Sequence, residues 1–111
     1  MQDKQAPSSI VGRRLRERRE ALGLAQEKVG VAIGLDESSA RARISRYELG
    51  VHEPPYETVK MLAEVLRVPV TYMYCDDSDV ACLLIALHAL SNEDRAKRVC
   101  LMLRELTQQQ H

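Results

Sequence analysis

The amino-acid sequence predicts an all-α protein with five helices followed by two more. Apolar residues recur along most of the chain at the three- and four-residue spacings of amphipathic helices. Glycine or proline follows several of these segments, as at Gly23, Gly34, Gly50 and Pro69, where a helix is expected to stop. The 111 residues suffice for one compact domain with an appended helical element.

The composition allows a folded core but gives an uneven charge distribution. Hydrophobic residues make up 45% of the chain, and without Phe or Trp the core must be mainly aliphatic. Net charge is zero, yet residues 1–50 carry ten Lys+Arg against seven Asp+Glu, and residues 51–111 carry six against nine. The net charge is therefore +3 in the first part and −3 in the second, which fits a chain whose N-terminal part binds phosphates. An ordinary mixed surface explains the counts equally well.

The first three helices are expected between residues 10 and 49. A loose polar arm at residues 1–9 ends at a capping serine, and the first helix then runs to Gly23. The second helix is predicted over residues 24–33. The third is predicted to begin among residues 36–39 and to bury Ala40, Ile44 and Tyr47 on one stripe before Gly50.

The remaining helices follow a loop with two prolines. A fourth helix is expected to end before Pro69 and a short fifth to close the core by residue 75. The sixth, capped by Asp79, contains the sequence VACLLIALHAL at residues 80–90. Because it is apolar at every position except His88, we expect burial on all sides. Ser91 begins the last helix.

Residues 24–50 have the features of a DNA-reading element. A short helix and a turn precede a helix that carries Arg41, Arg43 and Arg46 beside small residues. A slim helix with guanidinium groups on its outer face fits the major groove, where an arginine can bind guanine O6 and N7 together. This pattern predicts that the chain binds double-stranded DNA.

The same stretch and its flanks resemble the lambda-repressor-like, Cro/C1-type (XRE-family) helix-turn-helix regulators. The resemblance is carried by VGRRLRERREALGLAQEKV at residues 11–29, ISRYELG at 44–50, and Pro54 followed by ETVKMLAEVLRV at 57–68. It implies a five-helix DNA-binding domain at about residues 10–75. The stretch from Leu83 to Leu106 more weakly resembles the paired helices that some of these regulators append, and we expect a helical dimerisation extension at residues 79–107.

The resemblance implies roles for particular residues. Gln26 stands where a glutamine binds a DNA phosphate and braces the recognition helix, and Arg19 and Glu48 stand where a partly buried ion pair ties the first helix to the third. Residues of the third helix stand where side chains face base edges. These base-contacting candidates are Arg41, Ala42, Ser45 and Arg46.

Other contacts are predicted from the helix positions. Arg43 lies further round the third helix and is the better phosphate candidate. Ser39, near the start of that helix, is a second. The arginine cluster on the first helix is either a solvated face or a source of one or two phosphate contacts, of which Arg14 is the candidate.

Three positions depart from the family pattern. Between Gly34 and Ile44 the chain has about four extra residues, roughly one helical turn, so either the turn is longer or the third helix gains a turn at its start. Ala25 replaces a hydroxyl cap. Gly30 replaces an alanine, which costs about 1 kcal/mol in helix propensity and has no explanation in the sequence.

The C-terminal helices are predicted to form a homodimer, since one recognition helix covers only a few base pairs and pairing gives a palindromic operator. Alternatively, they pack on their own domain, or grip a partner protein as in an antitoxin or adaptor. We expect a repressor. The apolar residues assigned to dimerisation are Leu83, Leu84, Leu87, Val99, Met102, Leu103 and Leu106.

Other functional classes have weaker support. Cys75, Cys82 and Cys100 lack the spacing of metal ligands, so we expect no cofactor. Because the three cysteines do not suggest a disulfide framework, we expect the protein in the reducing cytoplasm of a bacterium, encoded by a bacterial or a phage gene. Redox or metal sensing through Cys82, Cys100 and His88 is a minor alternative. The apolar run at 80–90 is too short to span a membrane, and no enzyme motif is present.

Overall fold

The computed structural model describes residues 9–109, which form seven α-helices without a strand. The predicted all-α class and the order of five helices followed by two are therefore confirmed. Residues 1–8 of the arm predicted at residues 1–9 lie outside the described residues. The helices are α1 Ile10–Ala21, α2 Gln26–Ala32, α3 Glu37–Glu48, α4 Tyr56–Leu66, α5 Val70–Met73, α6 Ser78–His88 and α7 Asn92–Gln108.

The ends of the first helices use the local signals present in the sequence. Ser9 Oγ accepts a hydrogen bond from the Gly12 N–H at 3.1 Å and caps α1. At the end of α2, the Leu35 N–H donates to the Gly30 carbonyl and the Gly34 N–H donates to the Val31 carbonyl. This hydrogen-bond pair needs a left-handed residue between them, which Gly34 supplies with φ of 96°.

The core lies among α1 to α5. Its fully buried aliphatic side chains include Leu15 from α1, Val29 from α2, Ile44 from α3 and Leu62 from α4. Gly12 lies so close to the end of α3 that a Cβ there would stand 2.5 Å from the Tyr47 carbonyl oxygen. The absence of that side chain allows α1 and α3 to meet in close contact.

The extra residues before Ile44 lengthen α3 rather than the turn. Asp36 precedes the helix, Glu37 is its first residue, and Ala40 within the added turn is fully buried. A Cβ on Gly30 would lie 2.6 Å from Ala40 Cβ and 2.9 Å from the Ala40 carbonyl oxygen. Gly30 is therefore explained: it makes room on α2 for the first turn of α3.

The C-terminal helices extend from the domain with most of their apolar surface open. Of α6 only Ala81 is buried, and α7 buries no residue. The expectation that residues 80–90 are buried on all sides is therefore wrong for the single chain, because α7 and the core cover only part of α6. No described helix has the length and apolar character needed to cross a membrane.

Two polar contacts determine how α6 begins and ends. Asp77, rather than the predicted Asp79, caps α6, since its Oδ1 accepts from the backbone N–H groups of Asp79 and Val80. Arg95 of α7 donates to the carbonyls of Leu87 and Leu90, each at 2.8 Å. The guanidinium thus adds hydrogen bonds to carbonyls at the end of α6 and just beyond it, and these bonds join α7 to α6.

Candidate nucleic-acid interface

The outer face of α3 carries the side chains predicted to contact bases. Ala40, Ile44 and Tyr47 face the core, whereas Ala42 and Arg46 are exposed. Each residue turns the helix by about 100°, so Ala42, two residues from both Ala40 and Ile44, lies opposite the buried stripe. Arg46, four residues further on, shares that outer face.

The other candidates on α3 lie beside this line. Arg41 and Arg43 are exposed on its two flanks, and Ser45 is half-buried on the side of Arg41. Ser39 is exposed in the added first turn, where its hydroxyl donates to the Asp36 carbonyl at 3.3 Å. The helix therefore presents three guanidinium groups spread over a small-residue surface.

These three arginines are unpaired among the described residues. None of Arg41, Arg43 and Arg46 makes a salt bridge or side-chain hydrogen bond within residues 9–109. Their donors are therefore available to an acceptor outside the chain. Guanine edges and phosphate oxygens are acceptors of the required geometry.

Beneath the interface, a network of side-chain hydrogen bonds joins α1, α2 and α3. Arg19 Nε donates to Glu48 Oε2 at 2.6 Å, and Arg19 Nη2 donates to Glu48 Oε1 at 3.1 Å. Gln26 Nε2 donates to the same Oε1 at 3.0 Å. The hydrogen bond from Arg19 to Glu48 raises the pKa of the guanidinium, against the opposing effect of desolvation. This network holds the C-terminal end of α3 in a single orientation.

Gln26 lies in a cleft between the start of α2 and the side of α3. Arg41, Ser45 and Glu48 line the cleft from α3, and Arg16 and Arg19 line it from α1. Gln26 is the first residue of α2, and its N-cap Ala25 supplies no side-chain hydrogen bond. The first N–H groups of α2 therefore have no capping side chain as an acceptor. They lie beside Gln26, Arg16 and Arg19, so this cleft has donors and positive charge with which to bind an anion.

Comparison with known proteins identifies the family to which these features belong. A family model described as helix-turn-helix matches residues 15–73, which include the whole of α2 and α3. The chain belongs to the helix-turn-helix family. The similarity to XRE-type regulators predicted from the sequence is confirmed by this match.

Relatives of this helix-turn-helix protein have been found in two bacteria. An uncharacterized HTH-type transcriptional regulator of Sinorhizobium medicae (strain WSM419) is 32% identical over 79 residues, which cover 68% of this chain and 54% of the relative. A protein of the same description in Rhizobium meliloti (strain 1021) matches with the same figures. The chain thus spans about half the length of the curated relatives it matches.

A solved structure resembles nearly the whole chain. The crystal structure of the transcriptional regulator BswR matches with a TM-score of 0.80 at 35% identity, covering 88% of this chain and 97% of BswR. A match over 88% of the residues cannot be limited to the segment recognised by the family model, so it also includes part of the C-terminal helices.

The phosphate contact predicted for Arg14 of this helix-turn-helix protein is not supported by the position of its side chain. Arg14 is only 1% exposed. Its Nε donates to the Cys75 carbonyl at 2.7 Å, its Nη2 donates to the Asp76 carbonyl at 3.0 Å, and its guanidinium lies 5.7 Å from the centre of the Tyr72 ring. The side chain is enclosed because it faces the end of α5, which the arginine spacing alone does not reveal.

Arg16 belongs to the arginine cluster predicted on the first helix, but the sequence analysis chose Arg14 rather than Arg16 as its candidate for phosphate contact. Arg16 is exposed and lines the cleft of Gln26 and Arg41, and among the described residues it pairs only with Glu20, whose carboxylate is itself exposed. A signal was present in the sequence, since Arg16 precedes Arg19 by three residues and therefore shares its side of α1. We include Arg16 among the candidates for phosphate contact.

The described cysteines do not form a metal site. Cys75 is half-buried, Cys82 and Cys100 are exposed, and all three are free thiols. No group of three or more potential metal ligands occurs within residues 9–109. His88 is exposed and lines a shallow cleft with residues of α4 and α5.

Proposed function

We propose that this helix-turn-helix protein binds a specific double-stranded DNA sequence and regulates transcription there, without enzymatic activity. The observation that carries the proposal is the contrast on α3, where the core-facing stripe is tightly packed and the outer face holds three exposed arginines that have no partner among residues 9–109. Family membership and the similarity to BswR, a transcriptional regulator, support it.

The side chains of α3 suggest a division of roles. Arg46 on the outer face and Arg41 on its flank would each bind O6 and N7 of a guanine, and Ala42 between them would lie against a thymine methyl group. Ser45 would accept or donate one hydrogen bond to a base. Arg43, on the other flank, would bind a phosphate.

The cleft at the start of α2 would bind a second phosphate. Gln26 has one amide hydrogen on Glu48, and because a glutamine amide has two donor hydrogens, the other remains for a phosphate oxygen. Arg16 lies in the same cleft and supplies positive charge. Ser39 would bind phosphate from the first turn of α3.

We further propose that the protein acts as a homodimer on a palindromic operator and represses transcription. One recognition helix reads only a few base pairs, and two-fold pairing gives the affinity and specificity that regulation needs. The open apolar surface of α6 and α7 supports pairing, with Leu83, Leu101 and Leu106 at 43%, 55% and 58% exposed. A dimer bound over a promoter would repress by excluding polymerase.

Not every residue predicted for dimerisation is equally open. Leu103 is exposed, while Leu87, Val99 and Met102 are half-buried. Leu84 packs against the core of its own chain, so we remove it from the proposed dimer surface. The physical reason is that α6 turns one face to α5, and Leu84 lies on that face with Ala81.

Selection of bound fragments from random double-stranded DNA tests the proposal. We expect an inverted repeat with a guanine in each half-site, and loss of that guanine preference when Arg46 or Arg41 is replaced by alanine. A single unrepeated site would contradict dimeric binding. The absence of any enriched sequence would contradict sequence-specific recognition itself.

A second candidate function is a protein-binding module, such as an antitoxin or adaptor. It is favoured by one observation: α7 is apolar on more than one side, since Leu101 and Leu103 lie about 160° apart around the helix and both are more than half exposed. If Leu103→Asp abolishes regulation in cells but leaves dimerisation and operator affinity intact, this second function is supported.

A further inference from the structure

Helices α6 and α7 enclose an open groove that we call the α6–α7 groove. Its floor and walls are apolar, and one basic and one acidic residue of α7 stand among them, namely Arg98 and Glu105. The apolar lining residues are Leu83, Ala86, Leu87, Leu90, Leu101 and Met102. A groove of this kind in a chain of 111 residues leaves apolar surface that a partner would cover.

The spacing of the two charged residues along α7 determines how a second helix can pair with it. Arg98 and Glu105 are seven residues apart and so lie on one side of α7, about 10 Å from each other along its axis. Leu101 and Met102 lie midway between them. Both charged residues are exposed, and neither forms a salt bridge with any residue of 9–109.

We propose that the α6–α7 groove receives α7 of a second copy in antiparallel orientation, centred between Leu101 and Met102. Arg98 of each copy then pairs with Glu105 of the partner subunit. The inference rests on the homodimer proposed above and specifies its surface, its direction and its register.

Two-fold symmetry is what makes the charges complementary. In a two-fold interface residue i meets residue j and residue j meets residue i. An antiparallel pair centred between residues 101 and 102 brings 98 opposite 105 twice, and the equal spacing in both copies lets both pairs form together. A parallel pairing would instead place Arg98 opposite Arg98 and Glu105 opposite Glu105, which is unfavourable.

Charge reversal tests the register on the full chain. Arg98→Glu places two acidic residues opposite each other at both ends of the interface, and Glu105→Arg places two basic residues there. Each single variant should raise the Kd of self-association, measured by sedimentation equilibrium, by about tenfold or more, since two attractive pairs become repulsive. The double variant R98E/E105R should return to within about threefold of the wild type, because two pairs of reversed polarity restore the attraction.

Mixing the two single variants provides a second measurement. In a mixed dimer the Arg98→Glu copy is acidic at both positions and the Glu105→Arg copy is basic at both, so both pairs across the interface are attractive. We expect the mixture to form heterodimers at concentrations where each variant alone is monomeric. Arg104→Glu is the matched control, since it makes the same charge change on α7 outside the groove and should leave the Kd unchanged.

The possible failures are distinguishable. Equal effects of Arg98→Glu and Arg104→Glu, or no rescue by the double variant or the mixture, would overturn the proposed register while leaving the dimer in place. A wild-type chain that stays monomeric would overturn the dimer as well. Sequence-specific binding of DNA is measured separately with a single half-site, where Arg98→Glu should have no effect.

Discussion

Helices α1 and α3 both carry several arginines, yet the two sets have opposite environments. Each arginine of α1 makes a salt bridge or a hydrogen bond within the chain, and these residues are Arg13, Arg14, Arg16, Arg18 and Arg19. Arg41, Arg43 and Arg46 of α3 make none among the described residues. The first helix has five arginines in twelve residues and the third has three in twelve. Their environments differ because different groups lie opposite each helix.

The arginines of α1 face the carbonyl ends of other segments. Arg18 Nε donates to the Leu66 carbonyl at the end of α4, and Arg14 binds the carbonyls of residues 75 and 76 after α5. Arg19 Nη1 donates to the Leu24 carbonyl. Carbonyls near a helix end lack helical partners and carry partial negative charge, so a guanidinium satisfies them well. Arg14, Arg18 and Arg19 of α1 are thus part of the fold.

The α3 arginines have no such carbonyls opposite them in the part of the chain that the structure describes. Their face of α3 points away from the core, and the side chains between them are small, so the helix backbone can approach another molecule closely. We therefore expect substitutions of Arg14, Arg18 and Arg19 on α1 to reduce stability and substitutions of the α3 arginines to reduce DNA affinity. The following substitutions test that division.

The largest effect is expected for Arg19→Ala, measured by urea unfolding. Glu48 is only 4% exposed, so removal of Arg19 leaves a buried carboxylate without its cation and should cost about 3–5 kcal/mol in free energy of unfolding. Arg16→Ala is the control on the same helix. Its pair with Glu20 is exposed on both sides, so the loss should stay within about 1 kcal/mol. Similar losses for both would contradict the difference in burial.

Arg14→Ala is expected to cost about 2–4 kcal/mol, because the side chain leaves a cavity and unsatisfied carbonyls at residues 75 and 76. Thermal unfolding measures this loss. Operator affinity, measured well below the melting temperature, should match that of the wild type. A fall in affinity with a shallower salt dependence would show that Arg14 contacts phosphate after all.

Arg46→Ala and Arg41→Ala should each cost about 1–3 kcal/mol in operator binding and relax specificity at one base pair. Their free energy of unfolding should change by no more than about 0.5 kcal/mol. Competition binding to operators altered one base pair at a time makes the measurement. A loss that is equal on all sequences would assign that arginine to a phosphate.

The smallest effect is expected for Arg43→Ala, as a change in salt dependence. Loss of one phosphate contact should reduce the slope of log K against log salt by about 1, with a similar loss on every sequence. Lys97→Ala removes the same charge from α7, where it lies beside Glu93, and should leave the slope unchanged. Equal slopes for Arg43→Ala and the wild type would remove Arg43 from the interface.

Much of the fold was predictable because its signals are local. Ser9, Gly23, Gly34 and Gly50 mark helix ends through backbone conformation and hydrogen bonds that involve only a few neighbouring residues. The buried stripe of α3 follows from its spacing alone. The pairing of Arg19 with Glu48 was suggested by the family resemblance, and the structure shows the two hydrogen bonds.

The candidate site was less predictable where it depends on distant segments. Arg14 and Arg16 are two residues apart on one helix, yet one is enclosed by the segment after α5 and the other is open beside Gln26. Nothing within α2 explains a glycine at position 30. The explanation is the close approach of Ala40 from α3, which leaves no room for a Cβ on Gly30. The start of α3 was left open because four residues from 36 to 39 can each begin a helix.

The all-α class, the order of the helices, the family and the set of arginines from which an interface can be built all follow from the amino-acid sequence. Helix periodicity and helix-end signals act over about four to seven residues, so they can be recognised without knowledge of the fold. Three other properties emerge from the packing of the chain: which arginines are internal, that the added turn belongs to α3, and which face of α6 and α7 is left open. Those properties depend on which carbonyls, side chains and helix ends come into contact from distant parts of the sequence. Arg14 and the Cys75 carbonyl, for example, are 61 residues apart in the sequence.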